Sequence, residues 1–131
     1  MKVITLAVIA TGIVSQYAPG VMPRVISYRQ AHQQIPEDLA DFDGAIAVLN
    51  CNHIGQVFYL RPSGCHTCKW ERFIAADCAG KADGGYNWML YHNVIAEVDY
   101  QTAVRWNTVG RGIKAELAIR QLYYLPRYIP Q

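Results

Sequence analysis

Charge is scarce in this chain of 131 residues. Asp, Glu, Lys and Arg make up 17% of it, the formal net charge is +2, and Lys and Arg never form a run. That excludes nucleic-acid binding through a basic patch. No uninterrupted apolar stretch reaches the ~20 residues that a membrane-spanning helix needs. Internal repeats, low-complexity tracts and long amphipathic periodicity are also missing, which argues against solenoids and helical bundles. What is present is a 52% hydrophobic composition with ten Gly and six Pro scattered along it. Disorder is therefore excluded, and the length suits one domain with a real core. Short apolar runs bounded by turn residues point to a turn-rich β protein.

The runs fall in a clear order. Gly12 to Tyr17 reads as a strand, followed by a turn at Ala18-Pro19-Gly20. Val21 to Gln33 reads as one or two helical turns. Further strands are expected at Ala45–Leu49, Gln56–Leu60, Trp70–Cys78, Val94–Asp99 and Ile113–Arg120. Ala79 to Asn87 reads as a Gly-rich loop, and Tyr100 to Trp106 as a short helix. Two readings fit residues 1–10: a short secretory signal, with Lys2 ahead of an apolar run and cleavage after Ala10, or a first edge strand. Residues 11–120 then form the domain, and 121–131 an aromatic, Pro-rich tail that either packs back or contacts a partner.

The four cysteines are Cys51, Cys65, Cys68 and Cys78. Their even number allows paired disulfides, in any of three connectivities. Unpaired thiols and zinc are the alternatives, the latter using Cys65 and Cys68 with Cys51 and His53. A thioredoxin-like site is disfavoured, because Cys65-His66-Thr67-Cys68 follows Pro62-Ser63-Gly64 at an expected hairpin tip rather than opening a helix. His32 and His92 stand alone and read as surface residues.

The carboxylates carry more information. Alternation along a strand places Ile95, Glu97 and Asp99 on one face and Val94, Ala96 and Val98 on the other. Asp77 closes the strand that contains Phe73 to Ala76. Acids at the ends of apolar strands can be driven to different pKa values by burial and mutual repulsion, as glycosidic-bond cleavage requires. The structural alternative is that Asp99, directly before the expected helix, is its N-cap.

The order of these segments resembles the rare lipoprotein A family. Gly12-Ile13-Val14-Ser15-Gln16-Tyr17 is similar to its opening Gly-x-Ala-Ser-x-Tyr strand. Ala45-Ile46-Ala47-Val48 and Ile54-Gly55-Gln56-Val57 are similar to its Thr-Ala-Ala and Leu-Pro-x-Gly-Thr-x-Val segments. Phe73 to Gly80 looks like Val-x-Val-x-Asp-x-Gly-Pro, and Ile95 to Ala103 like Ile-Ile-Asp-Leu-Ser-x-x-Ala-Ala. Val109-Gly110-Arg111-Gly112 looks like the closing turn. Expansins, barwin-type proteins and related endoglucanases share the plan. The resemblance spans roughly residues 12 to 120 and rests on order and spacing. The chain departs from the pattern at Cys78-Ala79-Gly80, at Tyr100 and at Gln101.

The resemblance implies an all-β fold, a six-stranded double-psi β-barrel with one or two short helices. It implies an exported, cell-envelope or secreted protein acting on a cell-wall polysaccharide. The family's acid before the small helix is assigned to Asp99, with Asp77 as orienting residue or base and Glu97 as a secondary acid. Tyr17, Trp88, Tyr100 and Trp106 are the expected sugar-stacking residues. The expansin and barwin branches imply a Cys51–Cys78 bridge, which leaves Cys65–Cys68 to clip the loop. No cofactor and no metal are called for. Three activities compete on this plan: lytic transglycosylase or hydrolase, non-catalytic carbohydrate-binding module, and structural or assembly domain. A shared fold does not choose among them.

Overall fold

The computed structural model describes residues 2–124, the side chains of 123 and 124 excepted. It is mostly β. The strands are β1 (Lys2–Gln16), β2 (Gly44–Val48), β3 (Val57–Pro62), β4 (Glu71–Cys78), β5 (Val94–Val98) and β6 (Ile113–Tyr124). Three helices accompany them: α1 (Val21–Ala31), α2 (Gly85–Tyr91) and α3 (Tyr100–Trp106). A short 3-10 turn covers Cys51–His53. The strands hydrogen-bond in the order β1-β5-β2-β4-β3-β6 and back to β1, so the ring closes. Two neighbouring pairs are parallel, β1 with β5 and β2 with β4; the other four are antiparallel.

The ring interior is filled by Val14, Ile46, Val48, Phe58, Leu60, Phe73, Ala75, Ala96, Val98, Ala115 and Leu117, all buried. A second cluster lies outside it. There α1 lays Met22 over Ala45, Ile74 and Ala76. β4 is thus covered on both faces, which is why its Phe73–Ala76 run is apolar without alternation. β5 is covered on one face, and its burial alternates as its sequence does.

Three expectations need correction. The chain forms three helices rather than one or two. The end of the expected Gly-rich loop, residues 85–87, is helical: Gly84, at φ 83, takes a left-handed conformation costly for other residues and starts α2. The 21–33 segment makes three turns rather than one or two. β1 runs unbroken through residue 10, and β6 extends to Tyr124. The tail beyond Tyr124 lies outside the described residues. No helix among the described residues is long and apolar enough to cross a membrane.

Both disulfides are formed, Cys51–Cys78 and Cys65–Cys68, and no cysteine is free among the described residues. The first ties the turn after β2 to the end of β4. The second closes the β3–β4 loop on itself.

Candidate functional site

Four residues from different strands form one row. Ala47 of β2 pairs with Asp77 of β4 on one side and Glu97 of β5 on the other. Glu97 pairs in turn with Ser15 of β1. Paired residues point to the same side of a sheet. The row therefore presents two carboxyls, about two strand spacings or ~9.5 Å apart at Cα, with only the methyl of Ala47 between them.

Asp77 reaches this row through an irregularity in β4. Strict alternation from Phe73 and Ala75, which face the ring interior, would turn Asp77 inward as well. The register against β2 shifts between Ile46 and Ala47, and Ala76 is the extra residue. Such a bulge re-aims the side chain that follows it, here bringing Asp77 outward in line with Glu97.

Each carboxyl has a different environment. Asp77 Oδ2 accepts a hydrogen bond from the Tyr17 hydroxyl at 2.7 Å. Asp77 Oδ1 accepts from the Cys78 amide at 3.0 Å and pairs with Arg29 Nη2 at 3.2 Å. Arg29 comes from the last turn of α1 and is fixed by a second bond, from its Nε to the Ala76 carbonyl at 2.9 Å. Both oxygens of Asp77 are thus engaged and its charge is met. Glu97 accepts one hydrogen bond, from Ser15 Oγ to Oε2 at 3.1 Å. Its Oε1 has no hydrogen-bond partner among the described residues. Burial raises the Glu97 pKa above its ordinary value near 4.5; the Ser15 bond opposes this, and the nearby charge of Asp77 adds to it. Tyr17 is likewise pushed upward, first by burial, then by its bond to Asp77 and the negative charges of Asp77 and Glu97, with Arg29 opposing. Tyr17 therefore remains a hydrogen-bond donor at physiological pH.

The row opens into a cleft of about 280 Å³ lined by Tyr17, Asp77, Asp83, Trp88, Met89 and Glu97, among others. Trp88 sits on α2 with 47% of its surface exposed. Met89, the next residue, is buried and anchors α2 against Ala79 and Val94. Asp83 lies at the rim, where its Oδ1 accepts the Gly85 amide at 2.9 Å. A Cβ on Gly80 would come within 2.6 Å of the Asp83 carboxylate, so any other residue there displaces that carboxylate from its present place.

The structure thus brings together Tyr17, Asp77, Glu97 and Trp88. It does not bring Asp99, Tyr100 or Trp106 to them. Asp99 is the N-cap of α3: its Oδ2 accepts the Thr102 amide at 3.1 Å, and its Oδ1 accepts the Thr102 hydroxyl at 2.6 Å and the Ala45 amide at 3.1 Å. With Tyr100 it borders a separate, mainly apolar pocket of about 180 Å³ under Met22, Ile26 and Phe42. Trp106 lies in a third pocket, where its indole donates to Glu71 and its ring meets Phe73 edge-on at 5.8 Å. Asp83 lines the cleft, and Ser15 and Arg29 hold its carboxylates from outside it; none of the three is legible as a site residue in the sequence. Among the described residues no group of three His, Cys, Asp or Glu side chains is placed to hold a metal ion.

Comparison of the chain with protein-family models, with curated proteins and with solved structures finds no match.

Proposed function

We propose that the closed ring is a double-psi β-barrel of the rare lipoprotein A and expansin type, and that its cleft acts on a cell-wall glycan. The observation that carries this reading is the geometry of a half-buried Glu97 with one oxygen unpartnered among the described residues, one strand from Ala47, across from a fully engaged Asp77 and beside an exposed indole. A general acid needs a pKa raised toward working pH. Glu97 has the environment for that and a free oxygen from which to deliver the proton. Trp88 offers a face for a sugar ring to stack on. Asp77, held by Tyr17 and Arg29, is the fixed carboxylate wall against which the sugar is oriented.

The role first assigned to Asp99 passes to Glu97 in this reading. In the segment Ile95-Ala96-Glu97-Val98-Asp99, set against Ile-Ile-Asp-Leu-Ser, the acid position falls on Glu97. Asp99 takes the Ser position, and a helix cap is work that Ser and Asp share.

A single mobile acid favours lytic transglycosylation over hydrolysis, which needs a second carboxyl to activate water. Glu97 gives its proton to the glycosidic oxygen as the bond from C1 to that oxygen breaks. The 6-hydroxyl oxygen of the same sugar bonds to C1, and its proton returns to Glu97. The two disulfides fit an oxidising, exported setting. The open cleft also fits a second reading, a module that binds the glycan without cutting it.

One experiment separates them: turbidity loss and soluble-fragment mass on purified peptidoglycan, wild type beside Glu97→Gln. Anhydro-ended fragments from wild type alone establish the transglycosylase. Reducing ends indicate hydrolysis. Pelleting of both proteins with the wall and no fragments makes the protein a binder. Neither cleavage nor pelleting removes the glycan reading and favours the assembly domain.

A further inference from the structure

The first part of β1 lies outside the closed part of the ring. β5 joins β1 only from Ile13 on, so among the described residues the outer edge of Lys2–Val8 has no strand beside it. The inner edge of that segment pairs with β6, from Lys2 against Tyr124 to Val8 against Ala118. β3 in turn meets β6 only at Ala115–Ala118. The result is a two-stranded ribbon, an arrangement only marginally stable in water by itself. Its surface is aliphatic: Ile4 is 56% exposed, Val8 47%, and Leu122, the cross-strand neighbour of Ile4, 46%. Open edges are usually guarded by charge, by Pro or by a bulge. Here Lys2 stands at one end and the register shift between Val8 and Ala10 at the other. Between them, Val3-Ile4-Thr5-Leu6-Ala7-Val8 carries no charge and no Pro.

We propose that this edge pairs with the same edge of a second copy of the chain, antiparallel about a twofold axis at Thr5. That pairing sets Thr5 against Thr5, Ile4 against Leu6, Val3 against Ala7 and Lys2 against Val8. Aliphatic residues meet aliphatic ones, a Thr–Thr pair hydrogen-bonds across the axis, and the Lys2 stem lies along Val8 with its ammonium in water. Ile4 is then covered on both sides, by its own Leu122 and by the partner's Leu6. The charges agree with a second copy in this direction. The two Lys2 ammoniums stand at opposite ends of the seam, about 20 Å apart along the strand. Arg120, opposite Leu6 on β6, lies three strands from its counterpart, ~14 Å at the least and beyond the screening length at physiological salt. A parallel copy would set Lys2 against Lys2. The same patch serves on both chains, so the contact closes at two. An edge this short makes a small interface, under about 1,200 Å², and the dimer is therefore reversible. None of the cleft side chains takes part.

The test is sedimentation equilibrium of the full chain from micromolar to near-millimolar concentration. The mean mass should rise from one chain toward two and go no further. Thr5→Lys places two ammoniums together on the axis and should hold the mass at one chain throughout; Thr5→Glu should do the same. An equal mixture of these two variants should recover the dimer, which also shows that both remain folded. Because no cysteine is free among the described residues, a new thiol reports position. Thr5→Cys should give a disulfide-linked dimer on mild oxidation, since directly opposed residues bring their Cβ atoms within about 5.5 Å. Val8→Cys, which faces the partner's Lys2, should not. A mass of one chain at every concentration overturns the proposal, and flotation of that monomer with anionic lipid vesicles would assign the ribbon to a membrane surface instead. Equal cross-linking at the two positions, or growth of the mass past two chains, overturns the twofold pairing. So does a mature chain that begins after Ala10 and lacks the edge.

Discussion

Asp77 and Glu97 flank Ala47, each one strand away, so the charge of one is felt by the other across the buried methyl of Ala47. Asp77 is one of two causes that raise the Glu97 pKa, and burial is the larger. Asp77→Asn removes a negative neighbour and eases ionisation of Glu97. The Glu97 titration, followed by carboxyl carbon resonances, should move down part of the way and stop above the ordinary value, because burial persists.

The same shift sets a pH dependence of stability. Glu97 has a higher pKa folded than unfolded, so the native state binds more protons between the two values. Stability therefore falls as pH rises from about 4.5 through the raised folded pKa. Glu97→Gln cannot ionise, and its urea midpoint should be flatter over that window. If fragment release depends on protonated Glu97, its decline with pH should follow the same raised pKa. Ser15→Ala removes the one bond that favours the carboxylate and should push that decline to higher pH.

Asp99 and Glu97 should separate cleanly by mutation. Asp99→Ala removes the cap of α3 and leaves the Ala45 amide without its acceptor. A lost cap costs typically about 1 kcal/mol and up to ~2, readable as a lower urea midpoint. Fragment release per folded molecule should survive. Glu97→Gln should do the reverse, keeping the fold and ending release.

The two disulfides should contribute unequally. Cys51–Cys78 closes 27 residues of chain and Cys65–Cys68 only three. In the chain-entropy account the first constrains the unfolded state by about 3.5 kcal/mol and the second by less. Paired Cys→Ala variants, compared by chemical denaturation, should rank in that order.

Gly44 carries a steric prediction. A Cβ there would collide with Asp99 Oδ1 and Thr102 Oγ1. Gly44→Ala should therefore break the same cap from the opposite side and destabilise by about 1–3 kcal/mol, the usual cost of overpacking.

Much of the fold can be read from local pattern. β5 shows its alternation in Val94, Ala96 and Val98, and α3 declares itself through Asp99 and its bounds at Tyr100 and Trp106. α2 is hidden because Gly80, Gly84 and Gly85 signal a loop, and seven residues carry too little periodicity to outweigh them. α1 is legible as helical but not in its full length, since Met22 is the only buried residue along it. The site was legible in its types and not in its geometry. Tyr17, Asp77, Glu97 and Trp88 could be picked out. The bulge at Ala76 that turns Asp77 outward depends on pairing with β2, and Arg29 arrives from a helix 47 residues earlier than its Ala76 partner. Neither leaves a mark within its own segment.

The cleft is assembled from two sources of unequal rigidity. Its acids stand on β4 and β5, inside a hydrogen-bonded ring whose core would be lost if either strand slipped by one residue. Its indole and rim carboxylate belong to the excursion between those strands, residues 79–93, which begins at the Cys51–Cys78 bridge and is held inward by Met89. That excursion is an exchangeable cassette. Grafting a different one between the same two strands would replace the indole and the rim carboxylate and leave Asp77 and Glu97 where they stand.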